Sequence, residues 1–233
     1  MNQTHAVRKS KATRIPELHN GDRLSRDEFM RRYEAAPPGT WAELIGGEVY
    51  MPSPVGREHG IYHMEMNLVL GYYKAHTPVL EGADNTTTYM DEESATQPDA
   101  MLRLLEEYGG QSRWNEENYL EGAPEFIAQI AHSSVAVDMG KKRDRYEQAG
   151  VLEYLVVCVE EQELHWFHFP SKRELKSDAN GIYKSKVFPG LWINGPALLA
   201  RDSANLLATI QEGCASPQHA AFVKKMQRKQ RSR

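Results

Sequence analysis

Cysteine is scarce in this sequence, which contains only Cys158 and Cys214. Two cysteines far apart in the chain make neither the disulfide framework of a small secreted domain nor a zinc ribbon. The first falls in a predicted buried strand and the second in a predicted helix. We therefore expect both to be thiols packed in the core.

Long apolar runs are also missing. No run approaches the ~20 residues needed to cross a membrane, and a content of 40% hydrophobic and 26% charged residues is ordinary for a globular protein. The basic N-terminus is followed by no apolar segment, so it lacks the features of a secretory signal. We expect a cytoplasmic protein that does not contact membranes.

Several catalytic motifs are absent as well. The sequence has no internal repeat, no glycine-rich phosphate loop, and no GxSxG or HExxH motif. These absences exclude the commonest nucleotide-binding, serine-hydrolase and zinc-protease functions.

Basic residues are not in excess, because the net charge is −4. The molecule as a whole therefore does not indicate nucleic-acid binding. Basic side chains do cluster in residues 141–145 and in the tail, residues 224–233, and a local basic patch can contact phosphates. For the tail, a solvated and fraying terminus is the commoner alternative.

The 233 residues can bury one sizeable core. Residues 1–23 are polar and mixed, which predicts a disordered leader. We assign residues 24–200 to a single α/β domain, and residues 201–233 to a C-terminal helical extension that carries the basic tail.

Two helices are predicted in the first third of the chain. Ser25 followed by Glu28 forms a capping box, and the helix it opens ends at Pro37-Pro38-Gly39. The second helix runs from Gly60 to about residue 76, with an apolar face formed by Ile61, Met64, Leu68 and Tyr72. His59, just before it, is more often a local hydrogen-bonding residue than a ligand at such a position, although it is also a candidate to line a cleft.

Residues 41–51 predict a β-hairpin that turns at Gly46-Gly47. Glu43 and Glu48 lie on either side of this turn. Both are candidates for an acidic ligand, and a solvated surface charge is the alternative for at least one of them.

Pro98-Asp99 opens the stretch from which the function is inferred. Proline is accepted at the start of a strand and poorly inside one, so this pair predicts a strand start. A nearly all-apolar run around Gln129 predicts a strand covered on both faces. Asp138 is then expected to cap a helix on which Lys142 and Tyr146 share a face. A carboxylate, an amide and a lysine are thus expected to converge on one spot.

These segments, in this order, resemble the PD-(D/E)XK nuclease superfamily and, in detail, the Uma2 family of restriction-endonuclease-like proteins. The resemblance extends over about residues 41–169. It rests on the segment Glu43-Leu44-Ile45-Gly46-Gly47-Glu48, on the histidine-led helix from His59, on Pro98-Asp99, on residues 127–134, and on the helix with Lys142, Tyr146 and Gly150. The sequence departs from the family pattern at position 129, where glutamine replaces a metal-binding glutamate.

The resemblance implies a restriction-endonuclease-like α/β fold, in which helices flank a mixed central sheet. It also implies a Mg²⁺ or Mn²⁺ ion held by Asp99, Gln129 and the backbone carbonyl of Ile130. Lys142 would position the attacking water or stabilise the transition state. The neutral Gln129 is expected to lower the affinity for the metal, because it removes a unit of negative charge.

Two functional hypotheses follow. The first is a metal-dependent endonuclease that hydrolyses phosphodiester bonds in DNA, with Asp99, Gln129, Lys142 and either Glu43 or Glu48 in the site. The second is a catalytically inactive nuclease-fold protein that binds nucleic acid or a protein partner without cutting. The expected partner is a nucleic acid, with DNA favoured, and a homodimer is one option.

Overall fold

A computed structural model describes residues 14–230 of the chain, with side chains described through residue 228. In this part of the chain the α-helices are α1 (Arg26–Glu34), α2 (Arg57–Ala75), α3 (Arg143–Ala149), α4 (Gly195–Ala200), α5 (Ser203–Ala215) and α6 (Pro217–Gln230). The strands are β1 (Glu43–Ile45), β2 (Glu48–Tyr50), β3 (Leu80–Asp84), β4 (Thr88–Asp91), β5 (Ser94–Thr96), β6 (Ala100–Leu104), β7 (Arg113–Trp114), β8 (Leu120–Glu121), β9 (Phe126–Ala131), β10 (Glu153–Cys158), β11 (Glu163–His168), β12 (Arg173–Leu175), β13 (Ile182–Lys184) and β14 (Trp192–Asn194).

The strands form two larger sheets and a hairpin. The first sheet has the order β2-β1-β5-β4-β8-β7, and the second has the order β12-β11-β10-β9-β6-β3, while β13 pairs with β14. In the second sheet β9 and β10 are parallel, whereas β6 pairs antiparallel to β9 and β11 antiparallel to β10. Every residue of β9 and β10 is buried, as expected of strands covered on both faces. The predicted α/β class with a mixed sheet and flanking helices is confirmed, and the structure adds a second sheet.

The chain passes from the first sheet to the second at Gln97-Pro98-Asp99, between β5 and β6. Proline has no N–H to contribute to a strand ladder, so a crossing between sheets accommodates it well. The carbonyl of Pro98 still accepts a hydrogen bond from the Asn85 backbone N–H at 2.9 Å. Asp99 is therefore held at the junction of the two sheets.

Helix α2 packs against the second sheet, but not through the face that the sequence predicted. Its buried residues are Tyr62, Met66, Val69, Leu70 and Tyr73, whereas Met64 is 71% exposed. The helical spacing was predicted correctly, but the buried face of the helix is rotated from the predicted one. The tyrosines explain the shift, because each buries its ring and keeps a partner for its hydroxyl: Tyr62 donates to the Leu199 carbonyl at 2.9 Å and Tyr73 to the Pro189 carbonyl at 2.9 Å.

The N-terminal segment differs from the expected disordered leader over residues 14–23. Leu18 is buried in a cluster with Phe29 and Leu44, and the Gly21 N–H donates to the Val49 carbonyl at 2.8 Å. Burial of one large apolar side chain and pairing with β2 tie this segment to the domain. Residues 1–13 lie outside the described residues.

The C-terminal helices belong to the main core. Leu206, Ile210 and Phe222 share one buried cluster with Tyr73 of α2, so no separate core begins at the predicted boundary of residue 201. Lys224, Lys225 and Arg228 of the basic tail lie on α6, and residues 231–233 lie outside the described part. Within residues 14–230, no helix is long and apolar enough to cross a membrane.

Candidate active site

Asp99 is the centre of the candidate site, and three groups fix its position. The backbone N–H of Ile130 on β9 donates to Asp99 Oδ2 at 2.7 Å. His63 Nε2 on α2 donates to the Asp99 carbonyl at 2.6 Å. The second carboxylate oxygen, Oδ1, lies 3.4 Å from Nε2 of His59, one helical turn before His63. Asp99 is thus held from the sheet on one side and from α2 on the other.

His59 lies between two oxygen atoms of the site. Its contact with the Asp99 carboxylate, reinforced by the backbone oxygen of Ile130, raises the pKa of His59 despite partial burial. The sequence interpretation favoured a local hydrogen-bonding role for His59 and missed His63. The spacing of four residues between the two histidines could have pointed to His63, because such a pair shares one face of a helix.

Gln129 lies directly beside Asp99, because β6 and β9 pair Ala100 with Ala128. The Asp99 backbone N–H donates to Gln129 Oε1 at 3.3 Å, and Gln129 Nε2 donates to the Tyr146 hydroxyl at 3.4 Å. Both ends of the buried amide therefore have partners within the protein.

Lys142 places a buried positive charge in the same region. Its Nζ lies 2.7 Å from Glu43 Oε2 and 3.5 Å from Asp138 Oδ1, and its side chain is only 8% exposed. Burial alone would lower the pKa of Lys142, but the charges of Glu43 and Asp138 raise the pKa well above its ordinary value. The lysine is therefore a fixed cation at neutral pH.

The two hairpin glutamates have different environments. Glu43 on β1 is buried, contacts Lys142, and accepts the Gln97 backbone N–H on Oε1 at 2.6 Å. Glu48 on the edge strand β2 lies 3.0 Å from Lys141 Nζ and 3.0 Å from Arg23, with its side chain 25% exposed. The structure places Glu43 beside Lys142, whereas the contacts of Glu48 are with the surface cations.

Asp138 also belongs to this region, and the sequence assigned it a different role. It lies in a π-helical turn, Val137–Lys142, which precedes α3, and it does not cap an α-helix. The Ser134 hydroxyl donates to Asp138 Oδ2. Its Oδ1 is buried and accepts no hydrogen bond from any residue in the described part of the chain. Burial, with a further contribution from the charge of Asp99, raises the pKa of Asp138.

The described contacts therefore join Glu43, Asp99, Gln129 and Lys142 into one region, together with Asp138, His59 and His63. These residues come from both sheets, from α2 and from the turn before α3. A family comparison covers the segments that supply these residues. The model of the Uma2 family, described as a putative restriction endonuclease, matches residues 26–198. The chain belongs to the Uma2 family. Every residue of the candidate site lies within the match.

A solved structure shares the fold of this Uma2 chain. It is the crystal structure of a putative nuclease belonging to DUF820 from Anabaena variabilis, with a TM-score of 0.56 and 14% sequence identity. The similarity covers 80% of this chain and 99% of that one. Curated proteins yield no match. At this identity the likeness shows a shared fold, and the family description supports a nuclease function for this Uma2 chain in general terms.

The basic cluster expected to contact phosphates is paired with acidic groups in this Uma2 chain. Lys141 contacts Glu48, Arg145 lies 3.1 Å from Glu93, and Arg143 lies 2.9 Å from Asp144. These ion pairs are partly exposed, and each is worth little net free energy. A phosphate backbone can compete for these cations.

The sequence resemblance predicts a divalent metal ion, and the donor atoms near Asp99 are of the kind that a hard cation prefers. Within residues 14–230, no group of three His, Cys, Asp or Glu side chains is arranged to hold a metal. Mg²⁺ needs fewer than three such side chains, since it commonly takes one or two carboxylates and completes its coordination shell with water and substrate phosphate. The Asp99 carboxylate, the Gln129 amide oxygen and the Ile130 carbonyl are all oxygen donors. The buried Oδ1 of Asp138 is a further oxygen with unused capacity.

Proposed function

We propose that this Uma2 chain is a metal-dependent endonuclease that hydrolyses phosphodiester bonds in DNA. The observation that carries the proposal is the direct contact of Asp99 with Gln129 at the junction of the two sheets, to which Lys142 is linked through Glu43 and the Gln97 N–H. These residues come from three separate segments, and each is less than a tenth exposed. A buried carboxylate and a buried lysine together are costly to maintain for stability alone, which favours a catalytic role.

Asp99, Gln129 and the Ile130 carbonyl would hold the ion. The N–H and C=O of one strand residue point to the same side, so the Ile130 carbonyl faces the side on which its N–H meets Asp99. A bound Mg²⁺ or Mn²⁺ supplies an activated water and neutralises charge on the phosphate.

Lys142 contributes a fixed positive charge to this chemistry. Its contacts with Glu43 and Asp138 favour the charged form, so it would stabilise negative charge on the phosphate. Glu43 orients the ammonium group and is itself held by the Gln97 N–H. Glu43 therefore links Lys142 to the crossing between the two sheets, where Asp99 lies.

Cleavage of supercoiled and linear DNA with Mg²⁺ or Mn²⁺ tests the proposal. We expect cleavage by the wild type and its loss in Asp99→Ala. Asp27→Ala is the matched control, because Asp27 is an exposed aspartate on α1 and lies outside the basic cluster. Activity that persists unchanged in Asp99→Ala would refute the assignment.

A second candidate function is the binding of nucleic acid or a protein partner without cleavage. The observation that favours it is Gln129, which is neutral and has both ends of its amide hydrogen-bonded within the protein. At 4 Å a unit charge pair is worth about 4 kcal/mol at an effective dielectric near 20, and about twice that for a divalent ion. The missing charge is therefore large enough to empty a modest Mg²⁺ site.

Titration calorimetry with Mn²⁺ separates the two candidates. Strong binding that is lost in Asp99→Ala supports the endonuclease. DNA binding measured by fluorescence anisotropy, with no Mn²⁺ binding, supports the non-cleaving alternative.

A further inference from the structure

Asp138 has an unusual environment for a buried carboxylate. Its side chain is only 3% exposed, and its Oδ1 accepts no hydrogen bond from the residues that the structure describes. The nearest cation, Lys142 Nζ, lies 3.5 Å away, which is longer than a normal N–H···O bond. An unsatisfied buried oxygen is destabilising, so native proteins keep few of them.

Glu125 shows what a structural carboxylate looks like in the same protein. It is also buried, and the backbone N–H groups of Leu104 and Gln111 donate to its two oxygens at 2.8 Å and 3.2 Å. Each oxygen of Glu125 is therefore satisfied by a fixed backbone donor. Asp138 has one satisfied oxygen and one spare oxygen, as expected of a residue that accepts a ligand.

The spare oxygen belongs to the region around Asp99. Lys142 Nζ contacts both Asp138 Oδ1 and Glu43 Oε2, and Glu43 Oε1 accepts the backbone N–H of Gln97, two residues before Asp99. The π-helical turn sets this position, and such turns occur frequently at functional sites.

We propose that Asp138 supplies the second carboxylate of the divalent-cation site, in the role that a glutamate at position 129 would otherwise fill. The inference rests on the proposed function, because it assigns a further ligand to the same metal. It accounts for a neutral Gln129 in a site that binds a cation, since Asp138 contributes the charge that Gln129 lacks.

The competing explanation is that Asp138 only neutralises Lys142. Glu43 already lies closer to the lysine, at 2.7 Å against 3.5 Å. The two explanations differ in what a glutamate at position 129 will do once the charge of Asp138 is removed. A glutamate there restores a metal ligand beside Asp99, whereas Lys142 keeps Glu43 as its closest counter-ion in every variant.

Calorimetric titration with Mn²⁺ of the full chain tests the proposal, with folding checked by circular dichroism. Asp138→Asn keeps the shape of the side chain and removes its charge, so we expect Mn²⁺ affinity to fall about tenfold or more. The double variant Gln129→Glu/Asp138→Asn is expected to recover affinity to within about threefold of the wild type. Asp144→Asn is the matched control on the neighbouring helix and should bind like the wild type.

Ser134→Ala is a milder second variant in case Asp138→Asn does not fold. It removes the hydroxyl that holds Asp138 Oδ2, so affinity should fall about two- to fivefold if Asp138 is a ligand. Unchanged affinity in Asp138→Asn, or in Ser134→Ala when Asp138→Asn is unfolded, overturns the inference while the proposed function stands. No rescue by Gln129→Glu in a folded Asp138→Asn background also overturns it. A wild type that binds no Mn²⁺ overturns the metal-dependent function itself.

Discussion

Two buried carboxylates near the parallel strands β9 and β10 differ in how many of their oxygens accept a hydrogen bond. Glu153 opens β10, and the Ser185 hydroxyl donates to its Oε2 at 2.6 Å while the Lys186 N–H donates to its Oε1 at 2.7 Å. Asp138 follows β9 in the sequence, and among the described residues only Ser134 donates a hydrogen bond to its carboxylate, while Lys142 Nζ lies 3.5 Å from the other oxygen. Burial raises the pKa of both groups. A raised pKa alone therefore does not mark a functional site, and the unused oxygen is the more informative observation.

The largest expected effect is on the folding stability of the Lys142 network. Lys142→Met removes the cation and leaves Glu43 and Asp138 without it in a buried setting. We expect the free energy of unfolding to fall by about 3–5 kcal/mol. Urea unfolding at neutral pH measures this change. A decrease in the free energy of unfolding of well under 1 kcal/mol would mean that solvent screens the charges around Lys142, and that they are not buried in the way that Glu153 is.

Glu153→Gln should cost less, about 1–3 kcal/mol, because a neutral amide keeps the volume but disrupts the hydrogen bonds from Ser185 and Lys186. The cost should depend on pH. The raised pKa of Glu153 means that the folded state binds more protons than the unfolded state above the ordinary glutamate pKa. The stability of the wild type therefore falls as pH rises through that window, and its advantage over the variant should shrink between about pH 4 and pH 8.

Urea unfolding of both proteins at the two pH values measures this gap. A gap that widens with pH would contradict a structural glutamate with a raised pKa. Mn²⁺ affinity should be unchanged in Glu153→Gln, in contrast to Asp138→Asn.

Gln129→Glu should raise metal affinity, because it adds a negative charge beside Asp99 with almost no change in volume. Each tenfold gain in affinity adds about 1.4 kcal/mol of stabilisation at saturating metal. Without metal the variant should be less stable than the wild type, since a further buried carboxylate meets desolvation and like-charge repulsion. Thermal melts with Mn²⁺ and with chelator measure both changes. If the variant gains no more metal-dependent stabilisation than the wild type, Gln129 lies outside the metal site.

Glu48→Gln should have the smallest effect. Its partners Lys141 and Arg23 form partly exposed ion pairs, which solvent and salt screen. We expect no resolvable change in Tm, whereas Glu43→Gln should lower it clearly. Equal changes in Tm for the two variants would contradict the assignment of Glu43 to the buried site and of Glu48 to surface ion pairs.

Local features of the fold were predictable because local signals specify them. The Ser25 cap, the turn at Gly46-Gly47 and the apolar run around Gln129 each match their observed elements. The phase of α2 was not predictable from apolar spacing, because Tyr62 and Tyr73 bury their rings while their hydroxyls reach distant carbonyl groups.

The candidate site was predictable only in part. Asp99, Gln129 and Lys142 came from the family resemblance; in the structure Asp99 contacts Gln129, whereas Lys142 contacts Glu43 and Asp138. Whether Glu43 or Glu48 faces the site depends on the order of the strands across the sheet, which a single sequence does not reveal. Asp138 looked like a helix cap because nothing in the local sequence distinguishes a π-helical turn from the first turn of an α-helix.

The sheet crossing at Gln97-Pro98-Asp99 has a consequence for the folding kinetics. Gln97 contacts Glu43, 54 residues earlier, and Asp99 contacts Ile130, 31 residues later. Contacts between residues so distant in sequence carry a high loop-closure cost and tend to form late. The site should therefore assemble after each sheet has begun to form, and substitutions within it should accelerate unfolding more than they slow folding.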